Sequence, residues 1–327
     1  MTATGRSALL GAALLGLVVV AVLSVGIGAH AIAPGEVVRA LLGEGNPSDR
    51  AVVLDIRMPR AVLAIGVGAA LAVGGVLVQA LSRNALAEPG VLGVTAGAGF
   101  AIAVGSSFGL AASAPIELGL AVLGAFGASA LVYAVGSRSP LRLVLAGTAL
   151  SAVLLGLTLG LRLLFPDTFD VYRFWSVGSL AGREQAPTTV PLIVIGLSLL
   201  GAFAVSRQLN AIALGETVAH TLGANVARVR TVTLLLITLM AGAATALAGP
   251  ILFVGLIVPH LARRVAGASI PWLIAFAALL GPVLMLAADV GSRVLLPTGE
   301  VPVAIVTAFL GGPVLIWAVR KYGAAPL

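Results

Sequence analysis

Ten apolar runs divide this chain, and they restrict its fold more than any other feature. They fall at 8–29, 61–81, 91–112, 118–135, 143–164, 190–205, 229–248, 251–261, 272–288 and 303–319 of the 327 residues. A helix crosses a bilayer core with about 20 apolar residues, in a range of about 17–25. The eighth run is too short to cross comfortably, so nine is the competing number. Composition points the same way. The chain is 60% hydrophobic and 9% charged, whereas a soluble domain carries about 25% charged residues. The expected fold is an all-α integral membrane protein with about ten transmembrane helices, organised as one domain over residues 1–327. No linker or internal repeat divides it. A tripeptide at 29–31 resembles a signal-cleavage site. The apolar stretch before it nevertheless exceeds the usual 7–15 or so residues of a signal segment, so a retained first helix is expected.

Charge gives an orientation. There are 19 basic and 12 acidic residues, for a net charge of +7. The arginines stand singly between apolar runs. They form no stripe along which a nucleic acid could lie, and no nucleic-acid partner is expected. With both termini inside, the inner face collects Arg6, Arg83, Arg138, Arg142, Arg207, Arg228, Arg230, Arg263, Arg264, Arg320 and Lys321. Arg39, Arg50, Arg57, Arg60, Arg173, Arg183 and Arg293 fall outside, mostly in long segments that weigh less in the positive-inside rule. The expected location is therefore the cytoplasmic membrane, multi-pass, with both termini cytoplasmic. Cysteine is absent, which removes disulfides and thiolate chemistry. Small residues recur every four positions at Gly66, Ala70 and Gly74, at Gly93 and Gly97, and at Gly156 and Gly160. That spacing lets helix backbones approach closely in lipid.

The chemistry missing from the spans is informative. An ion-coupled carrier usually keeps an acid, histidine or lysine at mid-membrane. Here Glu88, Glu117, Asp289 and Glu300 fall at run ends or in connections, and the run centres offer neutral groups such as Gln79, Thr148, Ser151, Thr158 and Thr245. A phosphate-binding loop of the G-x-x-x-x-G-K-[ST] type is also absent, so energy for uphill transport would have to come from a partner. Two patterns imitate catalysis: residues 105–109 fit G-x-S-x-G, and residues 219–223 fit the A-H-x-x-G of rhomboid-type proteases. The topology puts Ser107 at the outer edge and His220 at the inner edge, about 30 Å apart. No catalytic residue is assigned. Three scattered histidines make no metal shell, and no metal or cofactor is expected on this chain.

The segment 209–226 lies on the inner side between two runs, neither loop-like nor long enough to cross. Val218, Leu222 and Val226 repeat every four residues, as on one helix face. Gly223 sits where a glycine ends a helix, and Glu216 suits a helix start. Two short helices on the inner membrane face would present a ridge to a cytoplasmic partner; a plain interfacial helix fits the periodicity equally well.

At this point the sequence resembles a known family, the permease subunits of iron-siderophore, heme and vitamin B12 importers of the ATP-binding-cassette class (type II). Residues 214–223, LGETVAHTLG, resemble that family's coupling helices. Residues 55–60, DIRMPR, are similar to its R-x-P-R start of the second helix. Residues 79–94, 145–150 and 174–182 resemble its next blocks, and 248–263, AGPILFVGLIVPHLAR, is a highly specific match. Glu300 to Pro302 and Leu310 to Pro313 complete the ordered series. Ala85 departs from the pattern, where the family usually has proline.

The resemblance implies a dimer of identical or related permeases, two cytoplasmic ATPase subunits that bind ATP and Mg, and an extracytoplasmic substrate-binding protein. The substrate implied is a ferric siderophore, with heme or vitamin B12 as the alternative within the family and an ion-coupled secondary transporter as the remote one. By motif, Leu214, Gly215, Glu216, Val218, Ala219, Leu222 and Gly223 are the implied ATPase-coupling residues. Arg57, Arg60 and Arg293 are the implied acceptors of carboxylates from the binding protein. On the residues alone, Arg293 could instead pair with Asp289 one helical turn away, and Arg57 and Arg60 with lipid phosphate. The implied translocation path is lined by Thr148, Ser151, Thr158 and Thr307, with an inner gate near Ser139, Pro140 and Leu141.

Overall fold

The structure is a computed structural model describing residues 2–28, 30–111, 113–136, 140–183, 187–213, 215, 219, 221, 223, 225–296 and 299–322. Among these residues there is helix and no strand. The long elements are α1 (Ala3–Gly26), α4 (Met58–Ser82), α5 (Val94–Ser107), α6 (Ala114–Gly136), α7 (Pro140–Leu164), α9 (Thr189–Ala213), α10 (Val226–Ala248), α11 (Val254–Ala266), α12 (Ile270–Val294) and α13 (Val303–Tyr322). Each of the ten apolar runs falls on one of them. In lipid, backbone polar groups must be satisfied within the segment, so a long apolar run has little choice but to be helical.

By length and composition, seven described helices are able to cross a membrane: α1, the stretch ending in α4, α6, α7, α9, α10 and α12. One run expected to cross is cut short, and the eighth is as short as its sequence implied. The run at 91–112 is a 3-10 turn (Pro89–Leu92) followed by the 14 residues of α5, about 21 Å of helix. The run at 251–261 becomes the 13 residues of α11, about 20 Å. Both fall short of a hydrocarbon core of about 30 Å. Conversely, the second run extends outward. A short α2 (Pro34–Leu41), α3 (Pro47–Ala51) and a π-helical turn (Val52–Arg57) precede α4 and make Pro47–Ser82 one helical stretch of 36 residues.

The bundle is built around α4, whose most apolar window is 83% buried, against 6% for α1. Helix α12 packs along its full length, with α9, α10 and α11 on its other sides. Glycine permits these approaches. A Cβ at Gly68 would lie 2.6 Å from the Gly281 carbonyl oxygen, and one at Gly75 would run into the Gly255 carbonyl. Helices α5 and α6 meet the same way at Gly97 and Gly124. The predicted stripe at Gly156 and Gly160 is different, because nothing lies within 4 Å of where their Cβ atoms would be. That face of α7 opens outward. An amphipathic α8 (Pro166–Ser176), read from sequence only as a connection, folds back against α5 and α7.

Helix α1 belongs to the bundle. It packs on α12, and its Ser24 is fully buried.

Candidate functional site

Three places in this bundle combine charge or broken backbone with position. The first is the outer end of α4 and α12. Arg60 donates from Nε to Asp289 Oδ1 at 2.8 Å, from Nη1 to Glu300 Oε2 at 2.7 Å and from Nη2 to Ser292 Oγ at 3.2 Å. Arg293 lies 3.0 Å from Asp289 Oδ2, an ion pair not aligned as a hydrogen bond. Its Nη1 and Nη2 donate to the carbonyl and hydroxyl of Ser24 at 2.9 and 2.8 Å. Arg57 donates to the carbonyls of Val25 at 3.1 Å, Gly26 at 2.7 Å and His30. The first two are orphan acceptors in the last turn of α1. Arg57 and Arg293 are each 4% exposed, Arg60 3%, and Asp289 0%. Three guanidinia thus fasten α1, α4, α12 and the approach to α13 into one outer clamp. Two of them share a buried carboxylate, since an isolated buried charge would be far more costly. The turn-spaced Asp289–Arg293 pairing read from sequence is present. Glu300 is the one acid of the clamp with a substantially open side chain, at 38%.

The second place is the core of the inner half. After α10 ends, Gly249 (φ +73) turns the chain, and Phe253 (φ +71) turns it again into α11. The link is held from three directions. Glu88 Oε1 accepts the Phe253 N–H at 3.0 Å. Gln79 donates from Nε2 to the Gly255 carbonyl at 3.2 Å and accepts from Arg263 Nη2 at 2.9 Å. Behind it, Ala304 N–H donates to Gly178 O at 3.0 Å, and a Cβ at Gly249 would run into the Trp175 carbonyl. Burial pushes the Glu88 carboxyl up from its ordinary value, with the Phe253 N–H partly opposing.

The third place is the inner segment 209–226. Helix α9 continues to Ala213, and its end is held by Arg83, whose Nη2 donates to Ile212 O at 2.9 Å. Asn210 Oδ1 accepts the Ile270 N–H at 3.0 Å, tying the same end to the start of α12. Gly215 (φ +129) and Gly223 (φ +77) both adopt left-handed backbone. Between them, Ala219 is fully buried and its N–H reaches Gly215 O at 2.9 Å, the span of one helical turn. Asn225 Oδ1 then caps α10 by accepting the Arg228 N–H at 3.0 Å. Leu214, Glu216, Val218 and Leu222 lie outside the described residues.

The expected path residues differ in exposure. Thr148 is exposed on α7, with its hydroxyl donating to Val144 O and Leu145 O. Ser151 is half-buried. Thr158 and Thr307 are buried, each hydroxyl turned back onto its own helix, at Leu154 O (2.7 Å) and Ala304 O (3.0 Å). Of the expected gate, Ser139 lies outside the described residues, and Pro140 and Leu141 open α7. Ser107 donates to Ala103 O at 2.8 Å and shares a hydrogen bond with Thr168 Oγ1; His220 lies outside the described residues. No group of three or more His, Cys, Asp or Glu able to hold a metal occurs among the described residues.

Glu88, Phe253, Gln79, Arg263, Arg83 and Asn210 carry these joints, and sequence reasoning gave none of them a role. Glu88 was visible as an acid at a run end and Gln79 as a neutral polar group within a run, but their partners lie 165 to 184 positions away, beyond any local pattern.

A bundle of apolar helices clamped on one face and jointed toward the other defines a multi-pass membrane protein of transport type. Residues 16–321 match the FecCD transport family, and the chain belongs to it. It is 44% identical over 313 residues to the ferric enterobactin transport system permease protein of Escherichia coli (strain K12), covering 94% of this chain and 93% of that one. It is 39% identical over 279 residues to the hemin transport system permease protein of Yersinia pestis, covering 82% and 83%. Among solved structures it resembles a transporter assigned to the metal-chelate ABC type, in an inward-facing conformation. The TM-score is 0.85 at 31% identity, over 96% of this chain and 99% of that one.

Proposed function

We infer that the chain is the permease subunit of an importer for ferric siderophores, driven by ATP hydrolysed on separate subunits. The observation that carries this reading is the 44% identity, over nearly the full length of both chains, to a ferric enterobactin permease. The 39% identity to a hemin permease keeps heme as the second substrate class.

On this reading a second permease, identical or related, packs against the open face of α7. The unfilled Gly156 and Gly160 stripe and the exposed Thr148 support that assignment, with the path running between the two chains past Thr148 and Ser151. Two ATPases seat on the inner segment 209–226, and both termini lie on the cytoplasmic side of the inner membrane. A binding protein docks at the outer clamp. Because Arg57, Arg60 and Arg293 are bonded internally, docking is an exchange: an incoming carboxylate takes the place of Glu300 on Arg60, the clamp's accessible acid.

The decisive test is ATP-dependent uptake of a radiolabelled ferric catecholate by vesicles holding this chain with its ATPase and binding protein. Hemin and cobalamin serve as the competing cargoes. Uptake that persists without the ATPase and collapses with the membrane gradient would overturn the reading.

A further inference from the structure

A cleft of about 450 Å³ opens between α9 and α10 at their inner ends, lined among others by Val205, Gln208, Asn225, Arg228, Val229 and Val232. Apart from the Asn225 cap and Gly223 of the inner segment, none of the roles above uses its lining. Its lining is graded along the helix axes. Val205 stands about two turns before the end of α9, and Val232 nearly two turns into α10, so the valine wall sits about 10 Å above the inner helix ends. Asn225 and Arg228 occupy the inner end, with Val229 and Gln208 between them and the two outer valines, about 5 and 8 Å in.

Arg228 is the odd residue here. It stands in the first turn of α10, where the helix macrodipole is positive and a cation is disfavoured. Among the described residues no carboxylate forms an ion pair with it. An anion in the cleft would satisfy both the guanidinium and the helix end. The valine wall adds a second requirement. A free phosphate, or a carboxylate from a partner protein, would fill only the polar end and leave the valines bare. An amphiphile fills both. Basic pockets between membrane helices on the cytoplasmic side suit anionic lipid headgroups.

We propose that the α9–α10 cleft binds an anionic phospholipid of the inner leaflet, its phosphate on Arg228 and Gln208 and an acyl chain along Val205, Val229 and Val232. This rests on the orientation given under the proposed function. Gly223 also lines the cleft, so the lipid braces the root of the inner segment from the membrane side.

The test is native mass spectrometry of the purified full chain in detergent, titrated with dioleoyl phosphatidylglycerol, dioleoyl phosphatidylcholine or inorganic phosphate. The wild type retains phosphatidylglycerol over phosphatidylcholine. Arg228→Gln lowers phosphatidylglycerol binding about tenfold or more, the usual worth of a charge-assisted hydrogen bond. Val232→Trp, which fills the apolar end, lowers binding of both lipids. Equal phosphatidylglycerol binding by wild type and Arg228→Gln overturns the proposal. So does displacement of the lipid by millimolar phosphate, which would mark a free-anion site, or a purified ATPase subunit that crosslinks into the cleft and excludes lipid. Orientation is read separately. The chain has no cysteine, so Arg228→Cys labelled in whole cells by an impermeant maleimide would reverse the topology without touching the detergent result.

Discussion

The carboxylate of Glu88 accepts the backbone N–H of Phe253 at 3.0 Å, joining the approach to α5 with the approach to α11. Both helices are too short to span, and both begin inside the bundle. The first N–H groups of such a half-helix have no water to turn to. A carboxylate there answers both the orphan donor and the positive end of the helix. It also helps hold Phe253 at φ +71, a conformation that a bulky side chain rarely adopts.

Glu88→Ala strands that N–H and is expected to cost about 1–3 kcal/mol, read as a lower melting temperature of the chain in detergent. Glu88→Gln keeps an acceptor without burying a charge, and should melt at or above the wild type at pH 7. Because burial raises the folded-state pKa of Glu88, the folded chain holds that proton more tightly than the unfolded one. Its contribution is therefore full below the ordinary carboxylate range and fades as pH rises through the raised value. The wild-type melting temperature should fall more steeply than that of Glu88→Gln as pH rises above the ordinary carboxylate range; equal slopes contradict the assignment.

Asp289 balances two buried guanidinia. Asp289→Ala leaves Arg293 without a carboxylate and Arg60 with Glu300 alone, and should destabilise the chain by about 3–5 kcal/mol. Adding Arg293→Met to it should cost less than the sum of the two single changes, because the partners are coupled. Chemical unfolding of the four chains in detergent measures this directly.

The two kinds of glycine stripe should behave oppositely. Gly75→Ala drives a methyl into the Gly255 carbonyl, and overpacking of this kind costs about 1–3 kcal/mol or more. Gly156→Ala and Gly160→Ala meet nothing, and should leave the melting of the isolated chain unchanged or slightly raised, by about 0.5–1 kcal/mol. A melting loss at the second pair would place α7 inside the subunit.

At the outer clamp, Glu300→Gln should strengthen association with the binding protein several-fold, because it loosens the internal hold on Arg60. Arg60→Glu should abolish association. Both shifts should shrink as salt is raised, and titration of immobilised permease with binding protein reads them. An unchanged affinity in Glu300→Gln removes the exchange.

Gly215 adopts φ +129 at the foot of α9, so Gly215→Val is strained there by about 1–3 kcal/mol. It is expected to lower uptake severalfold while ATP hydrolysis by the assembled importer continues. Parallel uptake and phosphate-release measurements would reveal a proportional loss of both, which is the contrary result.

Much of this architecture is legible from the chain itself, because lipid leaves an apolar run few options other than helix. What hydropathy does not register is where a helix must stop. Run 91–112 looks continuous, yet Gly93 (φ +76) turns the backbone, and Phe253 (φ +71) does so within run 251–261, where apolar neighbours mask the break. Helix α8 was missed because its polar outer face reads as a connection. The Asp289–Arg293 pair could be anticipated from its i, i+4 spacing. The bond from Arg60 to Asp289, 229 positions away, could not, since only the packing of α4 on α12 creates it. In the inner segment, the predicted helical face is represented among the described residues by Val226, which is buried.

The hinge-like link between α10 and α11 has a mechanical corollary. Helix α11 begins at that link and carries Arg263 and Arg264 near its far end, and Arg263 is tied back to Gln79 of α4. The tripod of arginines at the opposite end is seated on α1, α4 and α12, and α11 packs on the last two of these. A load taken up at the foot of α11 is therefore carried by the same two helices that bear the tripod.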